Sequence, residues 1–244
     1  MERKQIQGYY VDLINFQDAV KHLVSSIENK KSVHVITINP EIIEQAQKNN
    51  ELSTIIKNAE FIVADGMGIK LALKFKGINQ ERIPGVDLAR QLINECEKNN
   101  FNIALIGAKE EVINKTVNNL KEENEKLNIS YFRNGYFSKE DEDEIIRNIT
   151  NEKPRLVLVA LGAPKQEFFI HKCQEKHPEA VYIGVGGSFD VWAKTVERAP
   201  EFYRKIGCEW LYRTIKQPER IKRIYKTLPV FVFKAIIEAV KSNG

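Results

Sequence analysis

The residues best suited to chemistry stand where short apolar runs end. Thr37, Asn39, Pro40 and Glu41 close the run at 33–38, and the short polar side chains of Thr37 and Asn39 suit hydrogen bonds to a sugar or phosphate. Asn39 followed by Pro40 equally reads as a helix N-cap with proline at the first helical position. Asp65-Gly66-Met67-Gly68 follows the run at 61–64. There the glycines would let backbone amides approach a diphosphate, and the carboxylate can accept a proton or hold a hydroxyl. The bland alternative is an ordinary strand-to-helix turn with an Asp cap. Arg82 precedes Pro84-Gly85-Val86-Asp87 and is suited to clamping a phosphate, or to lying solvated before a turn. Gly162-Ala163-Pro164-Lys165-Gln166-Glu167 and Gly184-Val185-Gly186-Gly187-Ser188-Phe189-Asp190 are two further turn-to-helix entries, each shaped like an anion nest. Tyr136, after Gly135, is an aromatic that can stack on a base or simply pack in the core.

Other chemistries fare worse. The four histidines form no HxxxH or HExxH set, so no metal site is expected. The acidic run Glu140-Asp141-Glu142-Asp143-Glu144 contains a DxD, but it follows Ser138 and precedes Ile145-Ile146, the pattern of a capped, solvated helix start. Leu71 stands where a dinucleotide fingerprint needs its third glycine, which disfavours NAD. Cys96, Cys173 and Cys208 are odd in number and unpaired by spacing, arguing against a disulfide framework and for a reducing cytoplasm. The first eight residues carry no apolar stretch of the kind a signal peptide needs.

The elements that must position these residues alternate. The runs at 33–38, 61–64, 103–106, 156–161 and 181–184 are continuously apolar, as strands covered on both faces must be. Between them lie helical stripes: Phe16, Val20, Leu23, Val24 and Ile27; then Val86, Arg90 and Ile93; then Val112, Thr116 and Leu120. This predicts an α/β fold, a mostly parallel, Rossmann-like sheet with helices on both faces. In such a sheet ligands bind beyond the carboxyl ends of the strands, where the polar residues above stand.

Near residue 198 the pattern changes. Residues 198–244 hold 11 Lys/Arg against 4 Asp/Glu, a net charge of +7, leaving −3 on residues 1–197. Within a chain of 244 residues with 43% hydrophobic and 29% charged content, this divides an α/β domain (1–197) from a basic, helical appendage (198–244). The segment 228–240 is very apolar but shorter than the roughly 20 residues that span a bilayer. It fits a helix docked on the core or in an oligomer interface, or an interfacial helix on a membrane, and the neighbouring positive charge favours the last. Arg220 and Arg223, three apart on one helical face, are suited to phosphate oxygens, and Arg213 lies among the aromatics of Glu209-Trp210-Leu211-Tyr212-Arg213.

Taken in order, these motifs resemble the WecG/TagA/CpsF glycosyltransferase family. The resemblance extends to Arg198-Ala199-Pro200, Glu209-Trp210-Leu211-Tyr212-Arg213 and Pro218-Glu219-Arg220, covering residues from about 8 to about 227. It implies a bacterial enzyme moving a sugar from a UDP-sugar to undecaprenyl-diphosphate-linked N-acetylglucosamine at the cytoplasmic membrane face. The branch making the wall teichoic acid linkage unit transfers N-acetylmannosamine β-1,4 with inversion, and this compact chain looks most like that branch. Siblings use N-acetylmannosaminuronic acid or hexoses. On this reading Asp65 is the base, Thr37 and Asn39 orient the sugar, and Gln166 holds donor or acceptor. Arg82 stabilises the leaving diphosphate in place of a metal or other cofactor. Gly187, Asp190 and Tyr136 contact the nucleotide, while Arg213, Arg220 and Arg223 grip the lipid diphosphate. Off the membrane the tail is expected to be masked by self-association in a homo-oligomer or to become mobile. Rival classes are a nucleotide-cofactor oxidoreductase, a nucleic-acid-binding protein, and a non-catalytic nucleotide- or membrane-binding protein; no nucleic-acid partner is expected.

Overall fold

The computed structural model describes residues 1–200, 203, 212 and 221–242, with the backbone alone for residues 221–226 and 242. Six parallel strands form the central sheet: β3 (Val33–Ile38), β4 (Phe61–Ala64), β5 (Ile103–Gly107), β6 (Ile129–Arg133), β7 (Leu156–Ala160) and β8 (Val181–Gly184), in the order β4-β3-β8-β7-β5-β6. All five strands expected from apolar runs are present. Side chains alternate between two faces, as the pleat requires. Val35, Phe61, Val63, Leu105, Leu158 and Ile183 enter one core with helices α1 (Phe16–Glu28), α5 (Gly85–Lys98), α6 (Glu110–Glu123) and α9 (Ser188–Trp192). The opposite face packs on α2 (Pro40–Lys48), α3 (Asn50–Asn58), α4 (Met67–Phe75), α7 (Lys139–Glu152) and α8 (Lys165–Lys176). The α5 stripe is wider than its sequence pattern suggests: Leu88, Ala89, Leu92, Ile93 and Cys96 are buried, whereas Arg90 pairs with Glu123.

Two elements escaped the sequence reading. Edge strand β6 is half-exposed and alternates Ile129-Ser130-Tyr131, so it lacks the continuous apolar run of the inner strands. A separate antiparallel hairpin, β1 (Arg3–Ile6) and β2 (Tyr9–Asp12), turns at Gln7 (φ 47°) and Gly8 (φ 90°), positive angles that glycine adopts at little cost. The hairpin protects the other edge of the sheet. Buried Asp12 accepts the Ile62 amide of β4 at 2.7 Å and is itself paired with Arg3 at 2.6 Å. An otherwise open edge amide is thereby satisfied.

The chain ends in a long helix, α10 (Ile221–Ser242), which crosses α4 and α2. Phe231, Ala235 and Ala239 are buried, the first two within the same core as Ile42, Ile69 and Ala72. Lys76 pairs with Glu238 at 2.8 Å, and Thr227 bonds to Glu44. Its other side remains apolar and bare: Val230, Phe233, Ile236, Ile237 and Val240 are exposed. The tail helix is therefore at once docked and amphiphilic, with apolar residues on both sides. Among the described residues no helix is long and apolar enough to cross a membrane.

Candidate active site

A cleft of about 400 Å³ opens beyond the carboxyl ends of β3, β4, β7 and β8. It is lined by Thr37, Asn39, Asp65, Arg82 and Gln166, five residues that sequence alone proposes. Each arrives there for a local reason. Thr37 and Asn39 close β3, and the Asn39 side chain caps α2 by accepting the Ile42 amide at 3.1 Å. Capping occupies its oxygen and leaves its amide nitrogen as a donor, so the structural and functional readings of Asn39 coexist.

Asp65 extends β4, its own amide donating to Ile38 O at 2.9 Å. It does not cap α4; that position belongs to Gly66, which has φ 86° and no side-chain bond to the helix. The Asp65 carboxylate instead accepts the first amide of α5, from Gly85, at 3.4 Å. Arg82 is carried beside it by its neighbour. Ile83 is fully buried and donates its amide to Ala64 O at 2.8 Å, which ties the loop to the end of β4. Gly85 then fits against Thr37 because it has no side chain: a Cβ there would stand 2.9 Å from Thr37 Cγ2.

Helices α4, α5 and α8 start at this cleft with Gly66, Pro84 and Pro164 at their caps, none of which makes a side-chain cap bond; the first amide of α5 is taken by Asp65, which leaves α4 and α8 as the uncapped starts. Uncapped first-turn amides carry partial positive charge and favour an anion. With the Arg82 guanidinium at the rim, the cleft can hold a diphosphate beside a carboxylate. That pairing suits displacement of a nucleoside diphosphate by a hydroxyl whose proton is being removed.

The weaker nucleotide candidates divide. Gly187 lines the cleft, in the turn after β8. Asp190 does not line it; it lies on α9, where its carbonyl accepts from the Thr195 amide at 3.0 Å. Tyr136 is also outside, 73% exposed, after Gly135 whose amide donates to Ala108 O at 2.8 Å on the β5–β6 side. Arg213 and Arg220 lie outside the described residues, and Arg223 is described only as backbone of α10. The acidic run begins α7 as a capping box between Ser138 and Asp141, with Glu142 paired to Lys172, and none of it lines the cleft. Among the described residues no group of three or more His, Cys, Asp or Glu is placed to hold a metal ion. Cys96 and Cys173 are buried free thiols; burial raises both, the first to about 12, so neither supplies a thiolate.

Glu41 and Glu167, named in their motifs but given no role from sequence, also line the cleft, as does Gln45, which sequence reading missed. Glu41 and Gln45 are four apart on α2, one face of a helix that starts at Asn39-Pro40, a spacing that the sequence does display.

A carboxylate, an arginine and helix N-termini gathered at the carboxyl edge of a parallel α/β sheet make a site suited to a phosphorylated ligand. The chain belongs to the glycosyl transferase WecG/TagA/CpsF family, whose match spans residues 4–244. It is also 35% identical over 215 residues, 87% of this chain and 82% of the relative, to an N-acetylglucosaminyldiphosphoundecaprenol N-acetyl-beta-D-mannosaminyltransferase of Bacillus spizizenii (strain ATCC 23059 / NRRL B-14472 / W23).

Proposed function

We propose that this enzyme moves N-acetylmannosamine from UDP-ManNAc to the 4-hydroxyl of GlcNAc-diphospho-undecaprenol, the β-1,4 linkage-unit step of wall teichoic acid synthesis. The observation that carries the reading is the convergence of Thr37, Asn39, Asp65, Arg82 and Gln166 on one cleft of a chain with this relative. Asp65 takes the proton of the acceptor 4-hydroxyl as that oxygen bonds to the anomeric carbon. The bond from that carbon to the diphosphate oxygen breaks, and UDP leaves with the electron pair, inverting the centre. Arg82 and the helix amides meet the charge that develops on the leaving group. Thr37, Asn39 and Gln166 orient the sugars.

The reaction takes place at the membrane surface, on the cytoplasmic face. The exposed stripe on α10 rests at the headgroup boundary, while the basic tail meets anionic lipid at about 1 kcal/mol per Lys or Arg near the surface. Arg213, Arg220 and Arg223 hold the lipid diphosphate, and off the membrane the stripe is masked between copies of the chain. The test is UDP release from a panel of UDP-sugars with a short-chain lipid-linked GlcNAc acceptor. UDP-ManNAc is expected to be used far faster than its N-acetylglucosamine epimer, and preference for another sugar moves the enzyme to a sibling reaction. Because Arg82 and amides balance the diphosphate charge, activity is expected to survive EDTA. A loss that magnesium or manganese restores would assign that role to a metal.

A further inference from the structure

Glu167 is the most deeply buried carboxyl on the cleft wall. Only 3% of it is exposed, its Oε1 accepts the Gln166 amide nitrogen at 2.9 Å, and its Oε2 has no hydrogen-bond partner. Gln166 is held from the other side as well: its Oε1 accepts the Gly186 amide at 3.2 Å. Gly184 supplies the space, since a Cβ there would collide with the Gln166 amide group. A glutamine amide can lie in either of two orientations, exchanging donor for acceptor, and here both ends are assigned. The Gly186 N–H can only donate, so it takes the oxygen; the carboxyl oxygen of Glu167 takes one hydrogen of the nitrogen. One hydrogen of Gln166 Nε2 remains for a ligand.

Resting on the proposed sugar transfer, we propose that Glu167 is a positioning residue that fixes the sense of the Gln166 amide, so that the cleft offers a directed N–H donor to an oxygen acceptor of the sugar, such as an N-acetyl carbonyl. An amide free to turn would present either a donor or an acceptor at that point and would discriminate poorly between substituents. A hydrogen bond to a fixed polar group gives stronger selection than apolar fit, because a wrong partner leaves buried groups unpaired. Burial raises Glu167 above the usual carboxylate range. The role asks only for an oxygen that accepts from Gln166, which a glutamine can also supply.

Two substitutions separate positioning from stability. Glu167→Met keeps the volume and removes the polar group, so the fold is expected to persist, with a melting temperature lower by only about 2–4 °C for the hydrogen bond that Gln166 loses. Its kcat/KM for the N-acetyl sugar is expected to fall about 10–100-fold, with UDP affinity retained. Glu167→Gln keeps an oxygen acceptor for Gln166 and is expected to restore most of that loss. Side-chain amide NMR reads the same inference without turnover: the Gln166 NH2 protons exchange slowly in the wild type and Glu167→Gln, and faster in Glu167→Met. If Glu167→Met matches the wild type in kcat/KM, or its Gln166 amide exchanges as slowly as in the wild type, the positioning role is wrong. A wild type whose Gln166 behaves as described but which transfers no sugar would instead overturn the proposed function.

Discussion

Replacing Asp65 with asparagine is expected to lower turnover by about 10²-fold or more while leaving UDP affinity and the fold intact. The reasoning is geometric. The Asp65 backbone is fixed by its bond to Ile38 O, and an asparagine oxygen can still accept the Gly85 amide, so the end of β4 and the start of α5 need not move. What the substitution removes is the ability to take a proton from the attacking hydroxyl. On the proposed mechanism donor binding depends on Arg82 and the helix amides, which remain. Turnover and UDP affinity therefore separate. Near-normal turnover in Asp65→Asn would remove this residue from the role of base.

Ending the chain near residue 195 is expected to abolish nearly all transfer to a lipid-linked acceptor and, in addition, to lower the melting temperature. The first effect follows from loss of the basic segment and the apolar stripe. The second follows from the docked face of α10: Phe231 alone buries a side chain that contributes about 1.5–3 kcal/mol, and its removal bares the apolar sides of α2 and α4. A finer variant keeps the two apart. Glutamates at Phe233 and Val240, both more than half exposed, leave the docked face untouched. That double variant should melt like the wild type, lose binding to anionic vesicles, and lose activity on acceptor presented in a bilayer. Full activity of the truncated chain on lipid-linked acceptor contradicts the assignment of the tail.

How far the sequence could be read depended on how each element is buried. Strands β3, β4, β5, β7 and β8 are buried on both faces, β4 included although it lies at an edge, so their apolar runs are unbroken and legible; β6, half-exposed at the opposite edge, alternates and was passed over. The hairpin was missed because its stability lies in long-range bonds, Asp12 to Ile62 and Arg3 to Asp12, which no local pattern announces. Thr37, Asn39, Asp65, Arg82 and Gln166 were found because each belongs to a turn at a sheet mouth, where ligand and helix-start chemistry coincide. Tyr136 and Asp190 carry the same sort of signal yet do not line the cleft. Glu167, though named in its motif, was given no role for the opposite reason. An acid in the first turn of a helix reads as complement to the helix dipole, and only the fold reveals that it is buried against Gln166. The tail gave two readings from one apolar pattern, because α10 is apolar towards the core and towards solvent.

The central claim is that the cleft at the ends of β3, β4, β7 and β8 transfers one N-acetylhexosamine onto a lipid-linked sugar with Asp65 as base. Mass spectrometry of the acceptor after incubation with UDP-ManNAc, using the wild type and Asp65→Asn side by side, tests it most directly. The account predicts that the wild type adds one N-acetylhexosamine to the GlcNAc-diphospho-lipid and releases one UDP, while the variant leaves the acceptor almost unmodified. An unmodified acceptor with the wild type, or equal product from both proteins, would contradict it.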